Sequence, residues 1–480
     1  MTDAAADHFD LIVLGAGTGG YTAAFRAAQL GLRTALVDED QIGGTCLHRG
    51  CIPTKALLES ADVHARMKKA ADFGVVVDGT VAVDYAVVAA RRDAVVKRMT
   101  TGLRGLVKRS GVEWVAGRGR LEGPTTVRVS LAGEDGTPGS GGERVLRATD
   151  VILATGSRTK SLPGLVTDGV RILTSDDILR RADLPASIVI VGAGAVGVEF
   201  ASFFHDMGAS VTLVEYLPAI VPLEDAEVSA VLERSFTRRG IRVITKARFD
   251  TSAVAADDAG VRFVVSRDGE EGSEQIAAEV MLVATGRAAN VEDVGLETTQ
   301  VVVDRGIVVV DDHMRTADPH LWAIGDIVGG LWLAHTAAHE GLIAVHTIAG
   351  EDVEGMDYAK QPRATYCRPE IASIGLTEAQ CVERGIATRI GKVPFQAIAK
   401  AVIGGEYEGF AKVIADAATG ETVGVHITGP HATDLIAEGA VAMVFEAEPW
   451  EIALATHPHP TNAEVLAEAA MAVDGRSINF

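Results

Sequence analysis

Short apolar runs alternate with segments of helical character near the start of the chain. Residues 9–14 (FDLIVL) lead into a glycine-rich turn and then into an alanine-rich segment at residues 21–30. A second apolar run, residues 33–37 (RTALV), follows and ends at Asp38. Short apolar runs are typical of buried strands, and alanine favours helices. The pattern predicts a strand, a helix and a second strand, as at the start of a doubly wound α/β domain.

The same pattern occurs again further along the chain. Residues 188–191 (IVIV) lead into a second glycine-rich turn, a helix ending at Gly208 and a strand ending at Glu215. In each copy a glycine lies 11 residues, and an acid 18 residues, after the last glycine of the turn. Each copy is followed by an apolar strand and an Ala-Thr-Gly turn. Two copies of one unit predict two dinucleotide-binding sites.

Both turns have the form Gly-x-Gly-x-x-Gly, GAGTGG in the first copy and GAGAVG in the second. Such glycines allow a tight turn and the close approach of a pyrophosphate to a helix N-terminus, while the following acid hydrogen-bonds a ribose. Glu215 would repel a 2′-phosphate, and residues 216–222 contain no Arg or Lys. We therefore expect NAD(H) rather than NADP(H) in the second site.

The pattern changes from about residue 352. Apolar stretches (IASIGL, FAKVIAD, TVGVHIT) alternate there with polar ones, and helical segments follow at residues 432–446 and 462–474. This is typical of an antiparallel sheet with helices. The predicted fold is α/β, with two Rossmann-like dinucleotide-binding domains and a C-terminal α+β domain. The predicted domains are residues 1–155, 156–282, 283–351 and 352–480.

Composition excludes several classes of protein. A formal net charge of −21 argues against nucleic acid or an anionic membrane as a partner. Four cysteines are too few for a secreted disulfide scaffold. The longest apolar stretch, residues 188–204, contains three glycines and a glutamate, which disfavours a membrane span. The acidic N-terminus MTDAAADHFD has no apolar core, so we expect no signal peptide and a soluble cytoplasmic protein.

Cys46 and Cys51 are separated by four residues in the segment GGTCLHRGCIPTK. In a regular helix their Cα atoms would lie roughly 8–9 Å apart, beyond the ~7 Å that a disulfide allows. Gly50 permits a distorted turn, and a helix is expected to begin at about Cys51 because Pro53 suits a first turn. A helix N-terminus and the charge of Lys55 would favour a thiolate. We interpret the pair as a redox dithiol; two unrelated buried cysteines are the weaker alternative.

Other side chains suggest chemistry. Asp326 follows a strand and a glycine, where a buried carboxylate needs a partner such as a flavin ribityl hydroxyl. Glu199, on the first turn of the second glycine-motif helix, either interacts with the helix dipole or projects towards a nicotinamide and Lys55. Prolines flank His459, and Glu464 would orient its ring as that of a general base, although a histidine near a chain end is more often structural. His335 and His339 are spaced i, i+4, but no further ligand cluster accompanies them, so we expect no metal site.

The motifs GAGTGG, GGTCLHRGCIPTK, ATGS, GAGAVGVEFAS, ATGR, AIGD and HPHPT-x-x-E occur in this order over nearly the whole chain. In this order they resemble the pyridine nucleotide–disulfide oxidoreductases, and among these the branch that oxidises dihydrolipoamide. The resemblance implies FAD in the first domain, NAD in the second, a central domain at 283–351 that completes the FAD site, and a C-terminal dimerisation domain. It also implies a homodimer with an active site shared between subunits, and the lipoyl domain of a 2-oxo acid dehydrogenase or related complex as a partner.

The resemblance also assigns roles by position. Cys46 would be the interchange thiol and Cys51 the flavin-proximal thiol, with Lys55 and Glu199 near the flavin. His459, which precedes Glu464 by five residues, would be the base, supplied by the other subunit. Asp38 would bind the FAD ribose, where the family usually has Glu. The implied cofactor-binding residues are Gly15, Gly17, Gly20, Asp38, Gly44, Thr45, Thr155, Gly156, Asp326, Gly192, Gly194, Gly197, Glu215, Gly286 and Arg287.

The implied reaction is oxidation of dihydrolipoamide to lipoamide by a Cys46–Cys51 disulfide, followed by electron transfer through FAD to NAD⁺. The alternative is an NAD(P)H-dependent reductase of another low-molecular-weight disulfide or of quinones. Glu215 disfavours the NADPH-dependent disulfide reductases, and the two cysteines disfavour quinone reductases that lack the dithiol. The C-terminus GRSINF has no vicinal cysteine pair of the kind expected in a mercuric reductase. A docking subunit or a flavin-storing protein would not need the catalytic residues.

Overall fold

A computed structural model describes residues 7–133, 137 and 139–480. Residues 1–6, on which the expectation about a signal peptide largely rests, lie outside the described residues. In chain order, the helices are α1 (Thr18–Gln29), α2 (Gly44–Arg49), α3 (Cys51–Lys68), α4 (Tyr85–Ser110), α5 (Ser175–Ile178), α6 (Ala195–Met207), α7 (Ala226–Arg239), α8 (Ala334–Ile348), α9 (Glu378–Glu383), α10 (Ala399–Gly404), α11 (Ala432–Val444), α12 (Pro449–Leu454) and α13 (Glu464–Ala472).

The strands are, in chain order, β1 (His8–Leu14), β2 (Thr34–Asp38), β3 (Glu113–Leu121), β4 (Thr126–Leu131), β5 (Glu143–Leu153), β6 (Ser157–Thr159), β7 (Ile172–Leu173), β8 (Ser187–Val191), β9 (Ser210–Val214), β10 (Arg242–Ile244), β11 (Ala247–Arg248), β12 (Ala255–Asp257), β13 (Gly260–Arg267), β14 (Ser273–Ala278), β15 (Val280–Val283), β16 (Arg287–Ala289), β17 (Val303–Asp304), β18 (Ile307–Val308), β19 (Leu321–Ala323), β20 (Arg363–Thr365), β21 (Glu370–Gly375), β22 (Thr388–Pro394), β23 (Phe410–Asp416) and β24 (Thr422–Gly429).

The chain divides into two compact units, each assembled from segments that are distant in sequence. The first comprises Met1–Ala56, Ala90–Lys160 and Arg287–Tyr358, and the second comprises Leu57–Ala89, Ser161–Gly286 and Ala359–Phe480.

The first unit is built on a sheet of order β1-β2-β3-β4-β5-β19, in which β1 also pairs with β5. The pairs β1–β2, β1–β5, β2–β3 and β5–β19 are parallel, and β4 is antiparallel to both its neighbours. Helices α1 and α8 pack against each other through small residues: a Cβ on Gly19 would lie 2.9 Å from the Ala337 carbonyl oxygen. This packing fixes α8 beside the helix that follows the first glycine turn.

The second unit contains a parallel sheet of order β10-β9-β8-β15-β7 and an antiparallel sheet of order β20-β21-β24-β23-β22. Strands β11 to β14 form a separate antiparallel sheet, all of whose pairings run through β13. The parallel sheet carries the second glycine motif between β8 and α6. The predicted α/β fold with a C-terminal α+β region is confirmed.

The predicted helix at Cys51 is also confirmed, since α3 begins at that residue and holds Pro53 in its first turn. The sequence did not predict α2, which precedes α3 and ends at Arg49; Gly50 follows it with φ −142° and ψ −116°. Helix α1 begins at Thr18 rather than at residue 21, because the glycine turn itself forms its first turn. Helix α3 ends at Lys68, and a short 3-10 helix follows at Ala70–Phe73.

Candidate redox and dinucleotide sites

The first glycine turn joins β1 to α1, and its motif glycines are needed for different physical reasons. Gly15 has φ +111°, and a Cβ there would lie 2.1 Å from the Ala154 carbonyl oxygen. A Cβ on Gly20 would lie 1.9 Å from the Gly15 carbonyl oxygen. Gly17 precedes α1, and a Cβ there would meet no atom within 4 Å. The outer glycines therefore serve packing, whereas the middle one leaves open space at the helix N-terminus, where a pyrophosphate fits.

The second turn, between β8 and α6, repeats this geometry closely. Gly192 has φ +100°, with a hypothetical Cβ 2.4 Å from the Ala284 carbonyl oxygen, and a Cβ on Gly197 would lie 1.9 Å from the Gly192 oxygen. Gly194 again faces open space. The internal repeat seen in the sequence is therefore a repeat of close contacts and of an open position for a ligand.

The acid at the end of the second strand of each copy binds the glycine turn itself. The Ala16 N–H donates to Asp38 Oδ2 over 2.5 Å, and the Ala193 N–H donates to Glu215 Oε2 over 2.6 Å. In both copies the other carboxylate oxygen accepts the N–H two residues further on, at 2.8 Å. Burial raises the pKa of Asp38, and the backbone hydrogen bonds oppose that rise. Each acid thus fixes its glycine turn. The sequence predicted only ribose binding for these acids and not this second role.

A cavity of about 340 Å³ in the first unit runs along the first glycine turn. Its lining includes Gly15, Asp38, Thr155 and Arg158. The open position at Gly17, this cavity and the carboxylate of Asp38 fit the adenosine diphosphate portion of a dinucleotide such as FAD.

Asp326 lies in a 3-10 turn, Gly325–Val328, and is held by two side chains of the first unit. Ser157 Oγ donates to Asp326, and Arg287 Nε lies 3.8 Å from Asp326 Oδ2 while donating to Ser157 Oγ over 2.6 Å. Thr155 Oγ1 donates to the Asn290 carbonyl oxygen over 2.8 Å. The sequence motifs gave roles to Asp326, Thr155 and Arg287 but none to Asn290, and Ser157 entered only as part of the motif ATGS. The pairing of β6 with β16 brings these segments together.

The dithiol segment rests directly on the first glycine turn. The Gly43 N–H donates to the Ala16 carbonyl oxygen over 2.8 Å, and a Cβ on Gly44 would lie 2.7 Å from Gly17 Cα. Thr45 follows as the second residue of α2, and a Cβ on Gly50 would lie 2.9 Å from its carbonyl oxygen. The glycines therefore bring α2 close to the ligand position at the start of α1.

Cys46 and Cys51 are half-buried thiols joined by a side-chain hydrogen bond. The hydrogen bond with Cys51, then burial, then the negative charge of a Cys51 thiolate raise the pKa of Cys46, while Thr18 and Lys55 oppose the rise. The charge state of each thiol therefore affects the titration of the other. The break at Gly50 brings together two thiols that a continuous helix would keep apart.

His459 and Glu464 form a pair in the second unit, with His459 Nδ1 at 2.8 Å from Glu464 Oε1. The imidazole is 71% exposed, and its Nε2 makes no hydrogen bond among the described residues. Burial opposes ionisation of Glu464, but the hydrogen bonds with His459 and with the Thr461 N–H outweigh it and lower the pKa of this carboxyl. His457 differs, because its side chain is 9% exposed and both ring nitrogens are engaged, by the Ala455 carbonyl and Glu438.

Glu199 is buried in the second unit as the fifth residue of α6, and so lies beyond the first turn where the sequence placed it. Its Oε1 accepts the Tyr366 N–H over 2.9 Å, and one helical turn later Ser202 Oγ accepts the Arg368 N–H over 3.1 Å. This face of α6 therefore holds the segment after β20, a role that the helix-dipole interpretation did not include.

The predicted residues divide between the units. The first unit holds Gly15, Gly17, Gly20, Asp38, Gly44, Thr45, Cys46, Cys51, Lys55, Thr155, Gly156, Arg287 and Asp326, and the second holds Gly192, Gly194, Gly197, Glu199, Glu215, Gly286, His459 and Glu464.

Comparison with known proteins identifies the family. Residues 9–341 match the sequence model described as pyridine nucleotide-disulphide oxidoreductase, and residues 361–470 match that of its dimerisation domain. The chain belongs to the pyridine nucleotide-disulphide oxidoreductase family. The predicted family is therefore confirmed.

Several relatives match nearly the whole chain. It is 45% identical to a dihydrolipoyl dehydrogenase of Bacillus subtilis, over 99% of this chain and 100% of that protein. It is 41% identical to one of Zymomonas mobilis, with the same coverage. Among solved structures, LpdA from Mycobacterium tuberculosis superposes with a TM-score of 0.87 at 28% identity, covering 96% of this chain and 98% of LpdA. Within the described part of the chain, no helix has the length and apolar character needed to cross a membrane.

Proposed function

We propose that the protein is a dihydrolipoyl dehydrogenase, which oxidises dihydrolipoamide to lipoamide and reduces NAD⁺ to NADH with FAD as its bound cofactor. The observation that carries this proposal is the hydrogen-bonded pair Cys46 and Cys51, placed on the glycine turn of a dinucleotide site. The full-length similarity to dihydrolipoyl dehydrogenases supports the choice of substrate.

The dithiol accounts for the exchange step. In the oxidised protein, a thiolate of dihydrolipoamide attacks Cys46 Sγ, a mixed disulfide forms and Cys51 leaves as a thiolate. The second thiol of the substrate then attacks the substrate sulfur that is bonded to Cys46. Lipoamide leaves with a new disulfide, and Cys46 is released as a thiol. Because Cys51 lies at the start of α3, where the helix N-terminus favours a thiolate, it is the better leaving group.

His459 is the proposed base for the substrate thiol. Glu464 engages Nδ1, so the exposed Nε2 is the atom available to take the proton. The ionised Glu464 stabilises the imidazolium that results. We propose a homodimer in which the His459–Glu464 pair of one subunit serves the dithiol of the other, and the match of residues 361–470 to a dimerisation domain supports this arrangement.

The residues present fit both cofactors. The open position at Gly17, the carboxylate of Asp38 and the Asp326 turn would hold FAD, with Lys55 and Glu199 as proposed flavin neighbours. Gly194 and Glu215 would hold NAD. When bound, FAD supplies the electron transfer between the dithiol and NAD⁺ that side chains do not provide. We further propose the division into an FAD domain at 1–155, an NAD domain at 156–282, a central domain at 283–351 and an interface domain at 352–480.

The proposed partner is the lipoyl domain of a 2-oxo acid dehydrogenase or related complex, and the proposed location is the cytoplasm. The test is NAD⁺ reduction by dihydrolipoamide, with NADP⁺ and glutathione assayed in parallel. Fast turnover confined to dihydrolipoamide and NAD⁺ is expected. An FAD-loaded protein that turns over none of these would contradict the substrate while leaving the family intact, and rapid use of NADP⁺ would contradict the role given to Glu215.

A further inference from the structure

A buried acid lies beneath the turn that carries Asp326. Glu340, on α8, is 1% exposed. Its Oε2 accepts the Gly325 N–H over 2.5 Å, and its Oε1 accepts the Tyr358 hydroxyl over 2.8 Å. No motif used in the sequence analysis includes Glu340. A buried carboxylate is costly to keep, so its hydrogen bonds indicate what it holds in place.

The Gly325 bond is the informative one, because Gly325 directly precedes Asp326 and has φ +76°. Glycine can adopt many backbone conformations, so a hydrogen bond from outside the turn helps to select this one. The Asp326 side chain is held by Ser157 and Arg287 on one side, and the backbone beside it is held by Glu340 on the other. Helix α8 is a firm base for this contact because it packs closely on α1.

We propose that Glu340 is a positioning residue for the flavin site, which acts through the Gly325 N–H to set the position of the Asp326 carboxylate. This inference rests on the proposed FAD site. The reach of the side chain, rather than its charge, is what the role requires: an amide oxygen of the same length accepts the same N–H, whereas a carboxylate one methylene shorter does not reach it.

The test compares Glu340→Gln with Glu340→Asp by measuring the FAD dissociation constant of deflavinated protein through flavin fluorescence. Glu340→Gln is expected to bind FAD within about threefold of wild type, and Glu340→Asp about five- to tenfold more weakly, the value of one lost hydrogen bond. Introducing Glu340→Asp into the Asp326→Asn protein is expected to weaken FAD binding little further, because both changes act on the Asp326 carboxylate. The flavin absorption spectrum of the reloaded Glu340→Asp protein is expected to shift, which general loss of stability does not cause.

A matched control is Glu468→Asp in the second unit. Glu468 is 4% exposed and also accepts backbone N–H bonds, from Ile478 over 2.9 Å and Asn479 over 3.2 Å. This change is expected to lower stability and leave FAD affinity unchanged. Equal FAD binding by Glu340→Asp and wild type, weak binding by Glu340→Gln, or full additivity with Asp326→Asn would overturn the inference. Failure of the wild-type protein to bind FAD would instead overturn the proposed function.

Discussion

At the scale of single residues, the two thiols differ in environment although both belong to one pair. Cys46 lies within α2, and its pKa is raised by Cys51 and by burial, while Cys51 opens α3. This difference matches the steps proposed for them, in which Cys46 meets the substrate sulfur and Cys51 leaves as the thiolate.

Replacing Cys46 by Ser should therefore abolish dihydrolipoamide turnover without loss of FAD, because the glycine turn and Asp38 do not depend on the thiol. Turnover is followed as NADH formation, and FAD content by flavin absorbance. Cys381→Ser is the control, since Cys381 is buried in the second unit away from the sequence motifs, and it should turn over as wild type does. Substantial turnover by Cys46→Ser would contradict the dithiol assignment.

Glu340 gives a second prediction at this scale, on stability against pH. Burial raises its pKa from 4.5 to about 7, and the charge of Asp326 adds to the rise, while the bonds from Gly325 and Tyr358 oppose it. Because the folded protein holds this proton more tightly than the unfolded chain, the stability that Glu340 contributes is fully present below about pH 4.5 and is lost as pH rises through 7.

Glu340→Gln does not titrate, so its free energy of unfolding lacks this dependence. Relative to the variant, wild-type protein should lose about 3 kcal/mol between pH 4.5 and 8, from a shift of about 2.5 pKa units at 1.36 kcal/mol each. Urea unfolding of the FAD-saturated proteins across this range measures the difference. Parallel pH profiles for the two proteins would show that Glu340 does not titrate as assigned.

At the scale of elements, the two glycine turns show which parts of a motif serve the fold and which serve the ligand. Within one turn, Gly192 adjoins the Ala284 carbonyl with φ +100°, whereas Gly194 faces open space with φ −71°. At the first position an added methyl group would clash with the protein itself, whereas at the second it would meet only the pyrophosphate of the proposed NAD site.

Gly194→Ala should accordingly raise the KM for NAD⁺ by about tenfold or more while the midpoint of unfolding stays near that of wild type. Gly192→Ala should destabilise the protein by about 1–3 kcal/mol from backbone strain, with the carbonyl clash in addition. Steady-state kinetics and thermal unfolding of both variants test this contrast. An unchanged KM in Gly194→Ala would remove this turn from the NAD site.

The sequence predicted the elements that local patterns determine and missed those held by contacts between distant segments. The glycine turns, the helix start at Cys51 and the strands at Asp38 and Glu215 depend on local patterns, and all were predicted. Helix α2 was missed because its six residues (Gly44–Arg49) carry no apolar periodicity and are held by contact with Gly17.

The hydrogen-bond partners of the site residues also could not be predicted from local sequence patterns. Ser157 and Arg287 are 130 residues apart and meet through the pairing of β6 with β16. Glu340 contacts Gly325 only because the 3-10 turn at Gly325–Val328 packs against α8 in the first unit. An acid in a helical segment rich in alanine and aliphatic residues, AHTAAHEGLIAV, is a sequence signal that could have pointed to it.

At the scale of the whole molecule, the repeated glycine motifs fall in different compact units, one with the dithiol and one with the His459–Glu464 pair. A dinucleotide site in each unit lets the protein bind two cofactors at once, as an electron transfer between them requires. The proposed exchange chemistry uses the dithiol, which lies in the first unit, and His459, which lies in the second. In the proposed homodimer this requirement is met between subunits.

Shared active sites give a sharp prediction for mixed dimers. A dimer that combines one Cys46→Ser subunit with one His459→Gln subunit would contain one site with both changes and one site with neither. Purified by two different affinity tags, this heterodimer should therefore have about half the dihydrolipoamide turnover of wild type. Each homodimeric variant should be nearly inactive, and a doubly tagged wild-type dimer should have full turnover. If each site were built within a single subunit, the heterodimer would have no intact site, so an inactive heterodimer would exclude the shared arrangement and return His459 to the dithiol of its own chain.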